Sequence, residues 1–339
     1  MDEGAHLRST KVMMDSVVLE DQPVAVPNLP PRLLAPAGLQ WGTFETMDGA
    51  RLRWGHVPAA NPRGECVLVG GFAEFVEKYF ETMADLAQRG LSVWCLDWRG
   101  QGGSIRPQFH PSRPRRRDFD RDAADLLAFA RHVLPGRHPR VLVAHSMGGA
   151  ISMLMLTQAH DLFAGAVLSA PMLGIHTAPI PSFLARPLAM LGVVWGFGTE
   201  FAPGRGPWKP DPNLNADTSL TSHDPVRCMV HQSWFMARPD LRVDGPTYGW
   251  VRSALDLAIR LRDPAVFPAI FTPLLIGTPQ EEHHVDPEAA RYAAKRMADA
   301  TLVPFPGARH ELFLERDDFR VPWLAAMDEF FDRILAPPP

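Results

Sequence analysis

Residues 141–150, VLVAHSMGGA, set Ser146 at the end of the aliphatic run VLVA, one histidine later, and directly before a glycine-rich helix start. A serine on a sharp strand-to-helix turn can act as a nucleophile, because the turn presents its Oγ above the sheet edge. A serine in this position can equally be an ordinary helix cap. The nucleophile elbow needs small residues two before and two after the serine, where the backbones crowd each other. Ala144 and Gly148 meet that need, although Ala144 carries one methyl more than the usual G-x-S-x-G. The methyl is expected to fit only if the elbow opens slightly.

Acyl transfer to a serine also needs two backbone N–H donors aimed at the developing oxyanion. The run VLVGGFAEF ends a strand in Gly70-Gly71, which lets the following backbone turn sharply. By the mechanics of the elbow, the donors would be the N–H of Met147, just after the serine, and that of Phe72 in the loop after this earlier strand. A plain glycine turn is the alternative. A general base is expected late in the chain, in the order Ser, acid, His. Of thirteen histidines, His310 in GARHELFLE alone lies between the last strand and the final helix. The acid that holds its tautomer and stabilises the imidazolium should follow the preceding strand. In PLLIGTPQEEHHVD that window holds Glu281, Glu282 and Asp286, and Glu282 is preferred. The EEHH cluster also invites a metal reading, but adjacent residues rarely converge on one ion, and zinc motifs use spacings such as H-E-x-x-H. No metal and no cofactor is therefore expected.

These residues need a scaffold that brings strand ends together. From residue 65 onward, short apolar runs (ECVLVGG, LSVWCLDW, RVLVAHS, FAGAVLSAP) alternate with helical patterns (YFETMADLAQRG, RDAADLLAFARHVL, GGAISMLMLTQAH). Buried strands alternating with helices imply a mostly parallel sheet covered on both faces. Upstream, residues 39–59 alternate on both sides of Met47-Asp48-Gly49, a hairpin signal. The alternation stops at residue 172 and resumes near 263 with AIFTPLLIGTP, PEAARYAAKRMA, ATLVPFPG and a last helix, VPWLAAMDEFFDRIL. Residues 172–262, rich in proline and holding four of the nine tryptophans, read as a cap inserted over the carboxyl ends of the strands, where ligands bind. The organisation expected is thus an extension over 1–38, a core from 39–171 and 263–335, and a cap over 172–262.

Composition narrows the function. At 46% hydrophobic and 21% charged, with net charge −4, the chain is globular and gives no reason to expect nucleic acid as a partner. The basic run RPRRRDFDRD (113–122) is followed at once by acids and reads as a solvated loop entering a helix. Cys66, Cys95 and Cys228 are few, odd in number and widely spaced, which fits a reducing cytosol, and Cys66 and Cys95, each inside an apolar strand-like run, read as small core residues. The first residues are acidic and lack a long apolar core, arguing against a secretory signal. No apolar stretch is long enough for a membrane span; PLAMLGVVWGFG (187–198) reads as a cap helix with a greasy face. Nothing in the composition fixes an oligomeric state.

Taken in order, these motifs resemble the α/β-hydrolase superfamily, and within it the monoacylglycerol lipase and bacterial lysophospholipase group, the serine aminopeptidase S33-like hydrolases. VGGFAEFVEKY resembles the group's His-Gly-x-x-Glu oxyanion stretch, with Gly70 in place of the histidine. LDWRGQGGSIRP resembles its Asp-x-Arg-Gly-x-Gly-x-Ser loop, AHSMGG its G-H-S-M-G-G elbow, GARHELFLE its histidine segment, and DGPTYGWV (244–251) a cap segment. Alignment through TPLLIGTPQEEHHVD sets Glu282 against the group's usual Asp, and leaves Glu281 open if the loop gap shifts by one. The resemblance implies an α/β-hydrolase fold, a Ser146–Glu282–His310 triad with Phe72 and Met147 as oxyanion donors, and Trp250 of the cap segment in contact with substrate. It implies hydrolysis of lipid esters of the monoacylglycerol or lysophospholipid type. The alternatives are small esters, thioesters or amides on the same triad, or a non-catalytic binding protein on the same fold. Arg99 is expected to be structural and His145 to point away from the pocket. The cap runs FLARPLAMLGVVWGFG and SWFMARPD are expected to line an acyl-sized channel and to allow transient contact with a membrane surface. A cytoplasmic, peripherally membrane-associated protein is the expectation.

Overall fold

The computed structural model describes residues 25–336 apart from 160 and 179. The expected extension over 1–38 thus lies largely outside the described residues. Eight strands form one sheet: β1 (Gln40–Glu45), β2 (Arg51–Val57), β3 (Gly64–Val69), β4 (Leu91–Leu96), β5 (Arg140–His145), β6 (Gly165–Ser169), β7 (Leu274–Pro279) and β8 (Ala300–Phe305). Their spatial order is β1-β2-β4-β3-β5-β6-β7-β8. β1 and β2 form the antiparallel hairpin that the Asp48-Gly49 turn predicts, with Glu45 opposite Arg51, and β2 runs antiparallel to β4. All remaining pairings are parallel.

The helices are α1 (Phe80–Gln88), α2 (Phe119–His132), α3 (Met147–Leu156), α4 (Ser182–Val194), α5 (Val230–Ala237), α6 (Tyr248–Leu261), α7 (Pro287–Ala294) and α8 (Asp317–Ile334). The period-2 geometry of strands explains how near-continuous apolar runs serve both sides of the sheet. Val67, Val69, Leu142, Ala144, Leu168 and Ile276 join one core with side chains of α2, α3, α6 and α7. Their neighbours Cys66, Leu68, Val141, Val143, Val167 and Leu275 join the other core, against α1, α5 and α8. This is the α/β-hydrolase fold, a mostly parallel sheet flanked by helices with a helical region inserted between β6 and β7.

Within that insertion, α4 packs against α6: a Cβ placed on Gly192 would lie 2.7 Å from the Tyr248 ring. The α6 start is capped by Thr247, whose Oγ1 accepts from Trp250 N at 3.2 Å and donates to Pro114 O at 2.9 Å. One expectation is corrected here. Trp234 and Phe235 of SWFMARPD do not line a channel; both are core residues of α5, packed against Phe80 and Phe75.

Candidate active site

The carboxyl ends of β3, β5, β7 and β8 bring four chain segments together at one sheet edge. β3 pairs with β4 on one side and β5 on the other, so successive crossovers diverge there and leave the crevice in which such sheets bind ligands. Ser146 follows β5 at the first turn of α3, with φ 51° and ψ −116°. A positive φ is costly for a residue with a Cβ. Four backbone bonds hold it: Ser146 N donates to Ser169 O at 3.0 Å, and Ser146 O accepts from Gly149 N at 3.0 Å, Ala150 N at 3.3 Å and Met172 N at 2.9 Å. The side chain makes no capping bond, so the cap alternative for Ser146 does not hold.

The small residues around the turn are required by contact. A Cβ on Gly148 would meet Gly70 O at 2.6 Å, and one on Gly71 would meet the Ser146 Cβ at 3.0 Å. Ala144 is fully buried between Val69 and Leu168 in the sheet register, and its methyl belongs to the core. The N–H groups of Phe72 and Met147 donate to nothing among the described residues. The Phe72 ring lies 4.3 Å from that of Trp250, a buried residue of α6, so the cap segment does reach the oxyanion loop.

His310 lies in the loop after β8, 6% exposed, and its Nδ1 is 2.7 Å from Glu282 Oε2. The other Glu282 oxygen accepts from His284 N at 2.7 Å. Glu281 points elsewhere, to Arg309 Nε at 3.1 Å and towards His223 at 3.4 Å. Asp286 caps α7 and pairs with Arg262 at 2.7 Å. Burial alone would lower the His310 pKa, but the Glu282 charge and hydrogen bond outweigh it and raise the imidazole above its usual range. Burial would likewise raise Glu282, yet His310 beside it and the His284 N–H hold it down at about 2. Glu281 and Glu282 therefore diverge to separate partners, while the His284 ring lies 5.0 Å from that of His310. Among the described residues, no group of three His, Cys, Asp or Glu side chains is placed to hold a metal ion.

Arg99 joins Asp125 with Asp48, at 2.7 Å from the latter, as a structural clamp. His145 packs against His310, their ring centres 4.7 Å apart. Burial pushes its pKa down to about 3, with Glu74 opposing, and keeps it neutral.

A buried ionic cluster escaped the sequence reading. Glu74 Oε2 accepts from Gly71 N and, at 2.5 Å, from Tyr79 Oη; Glu74 Oε1 pairs with Lys78 Nζ at 2.6 Å. Lys78 also binds Glu311 at 2.7 Å, and so ties the oxyanion loop to the residue after His310. Burial opposes the charges of Glu74 and Lys78, but the carboxylates raise Lys78 and the ammonium lowers Glu74. The same cluster explains Gly70: a Cβ there would stand 2.8 Å from the Tyr79 ring and 2.9 Å from Glu74 Oε2. The hints in the sequence were the Glu of the His-Gly-x-x-Glu stretch, which falls on Glu74, and the i, i+4 spacing of Glu74 and Lys78.

Known proteins point the same way. The family model for serine aminopeptidase, S33, matches residues 60–317. Lysophospholipase L2 of Escherichia coli strain K12 is 32% identical over 308 residues, 87% of this chain and 88% of that protein. The monoacylglycerol lipase of Mycolicibacterium smegmatis is 28% identical over 80% of this chain and 90% of its own. Among solved structures, a soluble variant of monoglyceride lipase from Saccharomyces cerevisiae, bound to a substrate analog, superposes with a TM-score of 0.68. It covers 91% of this chain and 100% of that one at 21% identity, which speaks for the fold. The chain thus belongs to the serine aminopeptidase S33 family of α/β-hydrolase-fold proteins, related to the lysophospholipases and monoacylglycerol lipases.

Proposed function

We propose that the protein is a carboxylic ester hydrolase acting on lipid monoesters of the monoacylglycerol or lysophospholipid type, through Ser146, His310 and Glu282. The observation that carries this reading is the 2.7 Å His310 Nδ1–Glu282 Oε2 bond beside a serine held at positive φ. With Nδ1–H donated to Glu282, the lone pair of His310 Nε2 is free to take a proton. In the first step the Ser146 Oγ–C bond forms while the hydroxyl proton passes to Nε2. The carbonyl oxygen becomes an oxyanion and accepts hydrogen bonds from Phe72 and Met147 N–H. Collapse breaks the ester C–O bond, and the imidazolium returns its proton to the leaving alcohol. Water then adds to the acyl carbon as His310 takes its proton, the acid departs, and Ser146 regains its hydrogen. The Ser146 hydroxyl makes no capping bond, and its hydrogen bond to His310 Nε2 is one that forms as substrate binds. Trp250, tilted against the Phe72 ring, contributes an apolar wall for the acyl group.

The same reading extends to where the enzyme works. No helix among the described residues is long and apolar enough to cross a membrane. The exposed apolar side chains of α4 support an enzyme that collects lipid from a membrane surface.

Labelling by a fluorophosphonate probe tests the mechanism. Wild type should label and Ser146→Ala should not; an unlabelled wild type, or equal labelling of the variant, overturns it. A chain-length series of p-nitrophenyl esters and monoacylglycerols then tests the substrate class. A preference confined to acetyl and butyryl esters would replace lipid with small-ester hydrolysis.

A further inference from the structure

The oxyanion loop, residues 70–74, carries an unusual backbone. Ala73 has φ 62°, a left-handed conformation that a residue with a Cβ rarely adopts. Of the N–H groups at 71, 72 and 73, the outer two are tied down and the middle one is free. Gly71 N donates to the Glu74 carboxylate and Ala73 N donates to Gln101 Oε1 at 3.2 Å. Gln101 does more than accept. Its Nε2 donates to Gly71 O at 2.9 Å and to Glu74 O at 3.2 Å, so one amide grips the loop on both sides of Phe72. The side chain is 2% exposed. Its backbone is fixed in turn, with Gln101 N donating to Trp98 O at 3.0 Å and Gln101 O accepting from Ser104 N at 3.2 Å. Trp98 Nε1 adds a bond to Gly70 O at 2.8 Å.

From these contacts we infer that Gln101 is a positioning residue for catalysis: it holds the loop in the strained conformation that leaves the Phe72 N–H unpaired and aimed at the acyl oxygen. A primary amide suits this task, since it accepts at one atom and donates twice at the other. A carboxylate of the same length keeps only the acceptor; a thioether of similar size keeps neither function. Gln101 does not touch the reacting atoms. Its effect is confined to the state in which negative charge sits on the former carbonyl oxygen, so it should act on kcat and spare KM. The inference rests on the serine-hydrolase reading above.

The test compares wild type, Gln101→Met and Gln101→Glu in kcat and KM for p-nitrophenyl butyrate and in Ki for an alkyl trifluoromethyl ketone. Ser146 Oγ adds to that ketone, its proton passes to His310, and the hemiketal oxyanion occupies the hole. Loss of one aligned donor typically costs roughly 10²–10³ in kcat, so a fall of at least about 30-fold is expected for both variants. KM should stay within about threefold, and the ketone Ki should rise in proportion to the fall in kcat/KM. A purely structural role would lower the fraction of active enzyme without moving Ki. Either variant retaining wild-type kcat and ketone affinity overturns the assignment, and so does a fall in kcat with Ki unchanged. If Gln101→Met does not fold, Gln101→Glu alone decides by the same two readouts. A wild type that neither turns over the ester nor labels with fluorophosphonate overturns the hydrolase reading itself, which distinguishes the two failures.

Discussion

Under the proposed mechanism, His310 and Glu282 would serve stability and catalysis over different pH ranges. The general base must be neutral, and its pKa is raised above the ordinary histidine value of 6.5. kcat/KM should therefore fall with decreasing pH along a limb centred above 6.5, measured from pH 5 to 9 with a soluble ester. The stability linkage has the opposite sign for this group. A histidine with a raised folded pKa stabilises fully below its unfolded value, and loses that contribution as pH rises through the folded one. Glu282, held down at about 2, contributes above its unfolded value near 4.5 and loses this as pH falls towards 2. Their bond is thus strongest between those limits, below the range where the base works. Replacing Glu282 by Gln removes what raises His310. The limb should shift to lower pH, and kcat should fall roughly 10³–10⁴-fold, as loss of the triad acid does elsewhere. Glu281→Gln, which cuts an exposed link to Arg309, should retain activity within about threefold; the assignment fails if the two outcomes are exchanged. Ser146 and His310 were legible in the sequence because chain order and strand ends nearly dictate them. The choice between two adjacent glutamates was harder, because it depends on the path of the loop after β7. There Glu281 N bonds Ala308 O at 3.0 Å, and the two side chains leave for different partners.

The segments between strand and helix matter as much as the triad, and they depend on contacts across long stretches of chain. Lys78 reaches Glu311 from 233 residues away, so no local pattern could announce the pair. The alternating strands and helices, by contrast, were readable because burial on both faces of the sheet stamps continuous apolar runs on the sequence. Lys78→Met leaves two carboxylates buried without their cation. Breaking a buried ion pair in this way costs about 3–5 kcal/mol, to be read as a lowered urea midpoint at constant m-value. An unchanged midpoint would mean that solvent already reaches the cluster. The elbow makes its own demand. Gly148→Ala sets a methyl 2.6 Å from Gly70 O, so either the end of β3 or the start of α3 must shift, carrying Phe72 or Met147 with it. A displacement of this order should cost at least tenfold in kcat, given that misplacement by about 1 Å can cost 10²-fold. Ala144→Gly, which only removes a packed methyl, should leave kcat within a few-fold and cost about 1 kcal/mol of stability.

The inserted helical region turns the usual pattern of a surface helix inside out. Along α4 the small residues Ala185, Ala189 and Gly192 are buried and seat the helix closely on α6. Leu184, Leu188, Leu191 and Trp195 follow the helical repeat about a quarter-turn round from that buried face and are exposed, as are Phe183, Val194 and Phe197. Sequence periodicity revealed the greasy stripe but gave no sign of which side it faces, because small and large residues repeat at the same spacing. A contiguous apolar stripe left in water marks an interaction site, and under the proposed lipid-hydrolase function we propose the lipid surface as its partner. If so, binding should scale with buried apolar area. The triple substitution Leu188→Ser, Leu191→Ser, Trp195→Ser should weaken cosedimentation with phosphatidylglycerol–phosphatidylcholine vesicles at least tenfold. Turnover of dissolved p-nitrophenyl butyrate should stay within about twofold, because Ser146 and His310 are untouched, while hydrolysis of monoacylglycerol presented in vesicles falls in step with binding. Equal loss on both substrates would instead assign the stripe to the passage of substrate into the site. Unchanged vesicle binding would remove the membrane from the account of this helix altogether.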